Sequence, residues 1–215
     1  MKHITFYLDF ISPYAYLAFE KLPEVLMGLS YSVTYKPVLL GAILQHHGQL
    51  GPAEIAHKRE WTYRHVEWLG HQQQVELKMP AAHPFHPLPL LRLAVACAPL
   101  NAGEPNRHVC ETLFHHVWRG GADVLDPARL LALEALLPPH EDVQSEAVKT
   151  QLKQQTDNAM AAGVFGVPAF AVDDKLFWGF DALPMLRDYL RGDTWFEGPS
   201  WSKPEKIPAG ISRKR

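Results

Sequence analysis

The apolar run Ile4-Thr5-Phe6-Tyr7-Leu8 is followed almost at once by Ser12-Pro13 and then by Tyr16, Phe19, Leu22, Val25 and Leu26 at helical spacing. A strand that enters a helix this early fixes how the rest of the chain can be laid down. Ser12 stands where an N-cap belongs, and Pro13 suits the first helical position. Pro23 predicts a kink or a weak turn in a helix reaching about Met27, and Gly28 a stop. Ser32 to Val38 then alternates like a second strand, which makes a βαβ unit. The turn at Ser12 leaves free backbone N–H groups at a helix start and favours an anion. A hydroxyl there can hold a carboxylate, a phosphate or a thiolate; it can equally be a cap and nothing more.

The 215 residues suffice for one full core, with room for an inserted subdomain. A formal charge of −2 gives no sign of an electrostatic footprint for nucleic acid. The basic run Ser212-Arg213-Lys214-Arg215 reads as a solvated tail. No stretch approaches the ~20 apolar residues of a membrane span, and Met1-Lys2-His3 enters strand pattern directly, without a signal peptide. The expected location is cytoplasmic. Cys97 and Cys110 each lie in helical apolar patterns and read as buried filler, not as a disulfide. Of the 12 histidines, His46-His47, His83 with His86, and His115-His116 are the dense spots. None has a carboxylate or cysteine partner at zinc-site spacing, so no metal is expected.

From about Ala42 to Gln155 the chain is helical and punctuated by prolines. Helices are expected over Glu54–Leu77 (bent near Gly70), Leu88–Leu100, Asn106–Arg119, Pro127–Leu137 and Glu141–Ala162, with Asn106 and Asp126 as caps. No repeat period appears. From Val164 the pattern returns to strands. Pro168 to Val172 and Lys175 to Trp178 flank a turn at Asp173-Asp174, and a helix from Ala182 to Leu190 follows with Asp181 as its cap. The last residues, rich in Pro, Gly and Ser, read as an extended tail pinned by Trp195, Phe196 and Trp201. The order βαβ, helices, β-hairpin, helix is an α/β thioredoxin-like fold with an all-helical insertion. Residues 1–41 and 156–195 would form the thioredoxin-like part, 42–155 the insertion and 196–215 the tail.

Five segments carry a resemblance. They are Phe10-Ile11-Ser12-Pro13-Tyr14-Ala15-Tyr16-Leu17-Ala18; Gly51-Pro52 with Lys58-Arg59; His83-Pro84-Phe85-His86-Pro87-Leu88-Pro89 with Leu91-Arg92-Leu93; Gly163-Val164-Phe165-Gly166-Val167-Pro168; and Trp178-Gly179-Phe180-Asp181. In this order they make the chain resemble the 2-hydroxychromene-2-carboxylate isomerases, glutathione-dependent relatives of kappa-class glutathione transferases and DsbA-like oxidoreductases. The resemblance spans about Ile4 to Leu190. Redox relatives open the first helix with Cys-x-x-Cys, where this chain has Ser12-Pro13-Tyr14-Ala15, so it has no disulfide to cycle there. The resemblance implies that Ser12 is catalytic and donates to the glutathione sulfur. It also implies that Val167 and the cis-proline Pro168 meet the cysteinyl part, and that Trp178, Gly179, Phe180 and Asp181 hold the γ-glutamyl end.

On the substrate side, Lys58 and Arg59 are candidates for a carboxylate, although such a pair is also what a solvated helix face shows. His86 replaces the Asn common in relatives and can titrate where Asn cannot. A lysine that naphthalene-pathway members bring from the segment before Gly51-Pro52 has no counterpart in Ile43-Leu44-Gln45-His46-His47. The resemblance implies a glutathione-dependent isomerase of an aromatic hydroxy- or keto-acid, in a homodimer. A kappa-like transferase or peroxidase is the second expectation, and a non-catalytic glutathione-binding protein the third.

Overall fold

The computed structural model describes residues 1–98 and 103–202, with Ile207 and Gly210. Four strands, β1 (Lys2–Leu8), β2 (Tyr31–Pro37), β3 (Ala169–Val172) and β4 (Lys175–Trp178), form one sheet in the order β2-β1-β3-β4. β1 pairs parallel with β2 and antiparallel with β3, and β3 pairs antiparallel with β4. Helix α1 (Pro13–Val25) links β1 to β2. Between β2 and β3 lie α2 (Leu40–His46), α3 (Ala56–Gln73), α4 (Leu88–Ala96), α5 (Arg107–Trp118), α6 (Pro127–Leu136) and α7 (Glu146–Ala161); α8 (Leu183–Leu190) and α9 (Pro199–Ser202) follow β4. This is the thioredoxin-like arrangement.

The period of two along β1 divides its side chains between two apolar layers. Ile4, Phe6 and Leu8 join Ala15, Tyr16, Phe19 and Leu22 of α1 in the larger cluster, with residues of α4 and α5. Tyr7 points the other way, to Val38, Ile43, Ala159 and Ala169. Phe6 and Phe170 face each other across the ladder with ring centroids 4.5 Å apart. Each such ring removed from water contributes about 1.5–3 kcal/mol. Helix α7 reaches both layers, giving Val148 and Leu152 to the first and Ala159 to the second.

Asn106 and Asp126 cap α5 and α6 as expected, accepting from Val109 N and Arg129 N. Other expectations are corrected. Pro23 lies in the last turn of α1, which ends at Val25, and Leu26 N still bonds Leu22 O at 3.0 Å. The helix expected over Glu54–Leu77 is a 3-10 turn at Pro52–Glu54 followed by α3, which passes Gly70 unbroken and stops where Gln74 turns left-handed. α7 starts after Ser145, whose hydroxyl accepts from Val148 N, and not at Glu141. The helix expected to reach Leu100 ends at Ala96, and Leu100 itself lies outside the described residues. The described part of the tail is not extended. Thr194–Glu197 is a 3-10 turn and Pro199–Ser202 a helical one, because Phe196 and Trp201 fold back onto Phe177. Ser212 to Arg215 lie outside the described residues.

Candidate functional site

Ser12 sits on a turn that the protein holds from three directions. Its own hydroxyl oxygen accepts from Ala15 N at 3.2 Å, the capping bond expected of it. The two carbonyls before it accept from side chains of the helical segment: Phe10 O from Trp118 Nε1 at 2.9 Å, and Ile11 O from His83 Nε2 at 2.8 Å. Below the turn, the Asp9 carboxylate accepts from Ile11 N at 3.2 Å and Leu40 N at 2.9 Å, joining the start of α1 to the start of α2. Each bond satisfies a group close to or inside the core, and removing one partner costs about 1–3 kcal/mol. Trp118 and Asp9 are fully buried, and Ser12 is 6% exposed. Burial pushes the Asp9 carboxyl up to about 7 against the pull of its backbone donors.

Ser12 therefore caps α1, and its oxygen is fixed by Ala15 N while the hydroxyl proton has no acceptor among the described residues. No sulfur replaces it nearby: Cys97 and Cys110 are free and buried, and burial pushes the Cys97 thiol up to about 11 and the Cys110 thiol higher still.

The second wall comes from the β3–β4 hairpin. The Val167–Pro168 peptide is cis. Val167 stands outside the sheet ladder, whose last pair on this side joins Tyr7 to Ala169. Pro168 O accepts from Gly179 N at 2.9 Å, which brings the end of β4 against this peptide. Trp178 is 53% exposed and packs on Phe165 with centroids 4.9 Å apart. A Cβ at Gly166 would lie 2.7 Å from Trp178 Nε1, so a side chain there would displace the indole from this turn. Gly179 has φ +100°, and a Cβ there would overlap Asp181 Oδ1.

Asp181 does not cap the last helix. It lies in a 3-10 turn, Phe180–Ala182, and α8 begins after Ala182 with no side-chain cap. The left-handed Gly179 starts that turn early and draws the carboxylate back over itself. Asp181 is exposed, and its carboxylate accepts no hydrogen bond among the described residues. Its charge reaches Tyr14, the second residue of α1, whose phenol is pushed up by burial first and by Asp181 second. The Tyr14 hydroxyl lies 2.9 Å from His65 Nδ1, and His65 stacks between Trp61 and Trp68 on α3.

The substrate-side candidates part company. Lys58 and Arg59 occupy the first turns of α3, both exposed. Arg59 acts on Tyr63, one turn further along; Lys58 has no ion pair among the described residues. His86 is exposed and without a hydrogen-bond partner there, whereas His83 of the same segment is drawn onto Ile11. His83 Nδ1 in turn lies 2.8 Å from the Tyr63 hydroxyl, and burial holds the imidazole below the usual histidine range. Sequence reasoning passed over His83, Tyr63, Trp118 and Asp9; only Asp9, an acid ending an apolar strand, carries a visible signal. The expectation that His115 lacks a carboxylate at ligand spacing is corrected: Glu111 stands one turn before it on α5 and Glu20 comes beside it from α1, but Arg119 already pairs with Glu20 at 3.0 Å.

A mixed four-stranded sheet with a serine at the start of its first helix, a cis-proline at the entry to β3 and no cysteine at either place defines a thioredoxin-like protein built without a redox pair. A profile of the DSBA-like thioredoxin domain matches residues 3–191. The chain is 31% identical over 201 residues to a 2-hydroxychromene-2-carboxylate isomerase of Sphingobium xenophagum, covering 88% of this chain and 98% of that one. It is 24% identical over 212 residues to glutathione S-transferase kappa 1 of Rattus norvegicus, covering 91% and 93%. The solved structure of a 2-hydroxychromene-2-carboxylate isomerase superposes with a TM-score of 0.75 at 21% identity, over 93% of this chain and 98% of that one, a likeness of fold. The chain belongs to the DSBA-like thioredoxin domain family, and its relatives there include these isomerases and kappa-class transferases.

Proposed function

We propose that this chain is a glutathione-dependent isomerase of 2-hydroxychromene-2-carboxylate or a similar aromatic hydroxy- or keto-acid. The observation that carries the reading is the Ser12 hydroxyl: it stands at the N-terminus of α1, its oxygen held by Ala15 N and its proton uncommitted among the described residues. The residues around it suit the tripeptide. Asp181, exposed and without a partner among the described residues, suits the γ-glutamyl ammonium. Val167, outside the ladder, offers its peptide N–H and C=O to an extended cysteinyl unit. Trp178, Gly179 and Phe180 form the wall between them, and Pro168 sets the turn.

Bound glutathione supplies a thiol that, once ionised, adds reversibly to an electrophilic carbon and leaves unchanged. The protein's part is electrostatic. Ser12 Oγ–H donates toward the sulfur position, and the N–H groups that open α1 add partial positive charge there, both favouring thiolate. Arg59, on the same face of α3 as Tyr63, supplies a cation for the substrate carboxylate.

A kappa-like transferase is the second reading, supported by the similarity to the rat enzyme and by the absence of the lysine before Gly51-Pro52. One experiment separates the two. Calorimetry with glutathione tests binding, and incubation with 2-hydroxychromene-2-carboxylate tests turnover. An isomerase forms product at constant glutathione; a transferase depletes it. Absence of glutathione binding would refute both.

A further inference from the structure

Tyr63 and His83 make a hydrogen-bonded unit with one proton too few. Ile11 O can only accept, so the proton on the His83 ring that faces it sits on Nε2, 2.8 Å away. Nδ1 is then a bare lone pair, and it faces the Tyr63 oxygen at 2.8 Å. That phenol has a single proton and two acceptors, Nδ1 and the His83 carbonyl at 2.7 Å. Adding one proton completes the set: Nδ1–H donates to the Tyr63 oxygen, Tyr63 O–H to the His83 carbonyl, and Nε2–H remains on Ile11 O. Burial keeps the resting imidazole neutral, so the Nδ1 lone pair stays free to accept, and because burial disfavours the charged ring a proton taken there is soon passed on. Tyr63 is half-buried, and one helical turn before it Arg59 is the charged side chain that acts on it.

The spacing has a chemical meaning. In a cyclic hemiketal acid, the hydroxyl, the carboxylate and the ring oxygen share one carbon. A protein that holds the carboxylate and moves the hydroxyl proton needs its cation and its base side by side. Arg59 and Tyr63, at i and i+4 on α3, meet that need.

We infer that Arg59 and Tyr63 form an α-hydroxy-acid site, with His83 as the proton store behind Tyr63. This rests on the isomerase reading for its place in turnover, but not for its binding. The hydroxyl proton passes to the Tyr63 oxygen as Tyr63's own proton passes to His83 Nδ1. The hydroxyl oxygen's electron pair forms the carbonyl, and the ring C–O bond breaks with its pair going to the ring oxygen. The proton then returns from His83 through Tyr63 to that oxygen, giving a phenol. No electron is gained or lost overall.

The test uses the whole protein without glutathione. Mandelate and phenylacetate, which differ in the α-hydroxyl, are titrated by calorimetry. Wild type should bind mandelate about fivefold tighter, one hydrogen bond's worth. Tyr63→Phe should bind both equally, and Arg59→Gln should weaken both. In parallel, Tyr63→Phe should lower chromene isomerisation by about 10²- to 10⁴-fold while leaving glutathione affinity and conjugation to an aryl halide, which needs no proton relay, unchanged. A mandelate preference that survives Tyr63→Phe, or is absent from wild type, overturns the inference while glutathione binding still stands. A preserved preference in a protein that binds no glutathione sinks the isomerase reading and leaves the site.

Discussion

Replacing Asp9 by Asn tests which of two opposing effects governs the carboxyl under the Ser12 turn. Its backbone donors, Ile11 N and Leu40 N among them, favour the carboxylate. Complete burial without a cation favours the acid, and burial wins, raising the group from the ordinary 3.8 to about 7. For a carboxyl raised on folding, the stability effect is the reverse of the usual one. Below the unfolded value both states are protonated and nothing is lost. Between about 4 and 7 the unfolded chain releases a proton that the folded one keeps, so stability falls as pH rises, by about 1.4 kcal/mol per pH unit. Above about 7 the loss is complete, near 4 kcal/mol. Asn cannot titrate, and its NH₂ meets a backbone N–H, so Asp9→Asn should be less stable than wild type at pH 5 by about 1–2 kcal/mol. By pH 8 it should have gained about 2.5 kcal/mol relative to wild type, and match or exceed it. The assay is urea unfolding of both proteins at several pH values. Contributions of His83 and His116, which burial lowers, cancel in the difference. A difference constant from pH 5 to 8, or one growing with pH, would mean that Asp9 is ionised in the fold and the donors win.

Two more outcomes follow from the second wall of the site. Asp181→Ala should weaken glutathione binding by about 1.5–3 kcal/mol while shifting stability by less than about 0.5 kcal/mol, since the carboxylate caps no helix; calorimetry with urea unfolding checks both. Gly166→Ala should displace the Trp178 indole, 2.7 Å from the added methyl, and change near-ultraviolet circular dichroism while glutathione affinity falls. An unaltered spectrum with full affinity would show that the turn yields instead.

What the sequence revealed and what it hid follow from the range of the interactions. The βαβ start, the caps at Ser12, Asn106 and Asp126, and the hairpin at Asp173-Asp174 are local, set by residues three or four apart, and all were legible. α2 was not. It is seven residues long, has no side-chain cap and buries Ile43 alone, so no period can declare it. Asp181 looks like a cap because Asp before a helix usually is one; a left-handed glycine two residues earlier overrides the preference. The choice of His83 over His86 depends on Ile11 and Tyr63, which come from distant parts of the chain. Both histidines stand in the same proline-rich segment, and nothing local separates them. The tail reads as extended by composition, yet Phe196 is buried, and apolar burial outweighs the turn residues around it.

The central claim is that the Ser12 hydroxyl stabilises the thiolate of bound glutathione. Ultraviolet titration of the bound thiol in wild type and Ser12→Ala tests it most directly. In wild type the thiol should ionise below the ordinary value of about 8.5. In Ser12→Ala it should ionise at higher pH, each pH unit corresponding to about 1.4 kcal/mol of lost thiolate stabilisation. Turnover should fall near neutral pH and partly recover as pH rises. The lost cap should cost the fold about 1 kcal/mol, which leaves a folded protein to titrate. The same ionisation in both proteins would contradict the claim and reduce Ser12 to the cap of α1.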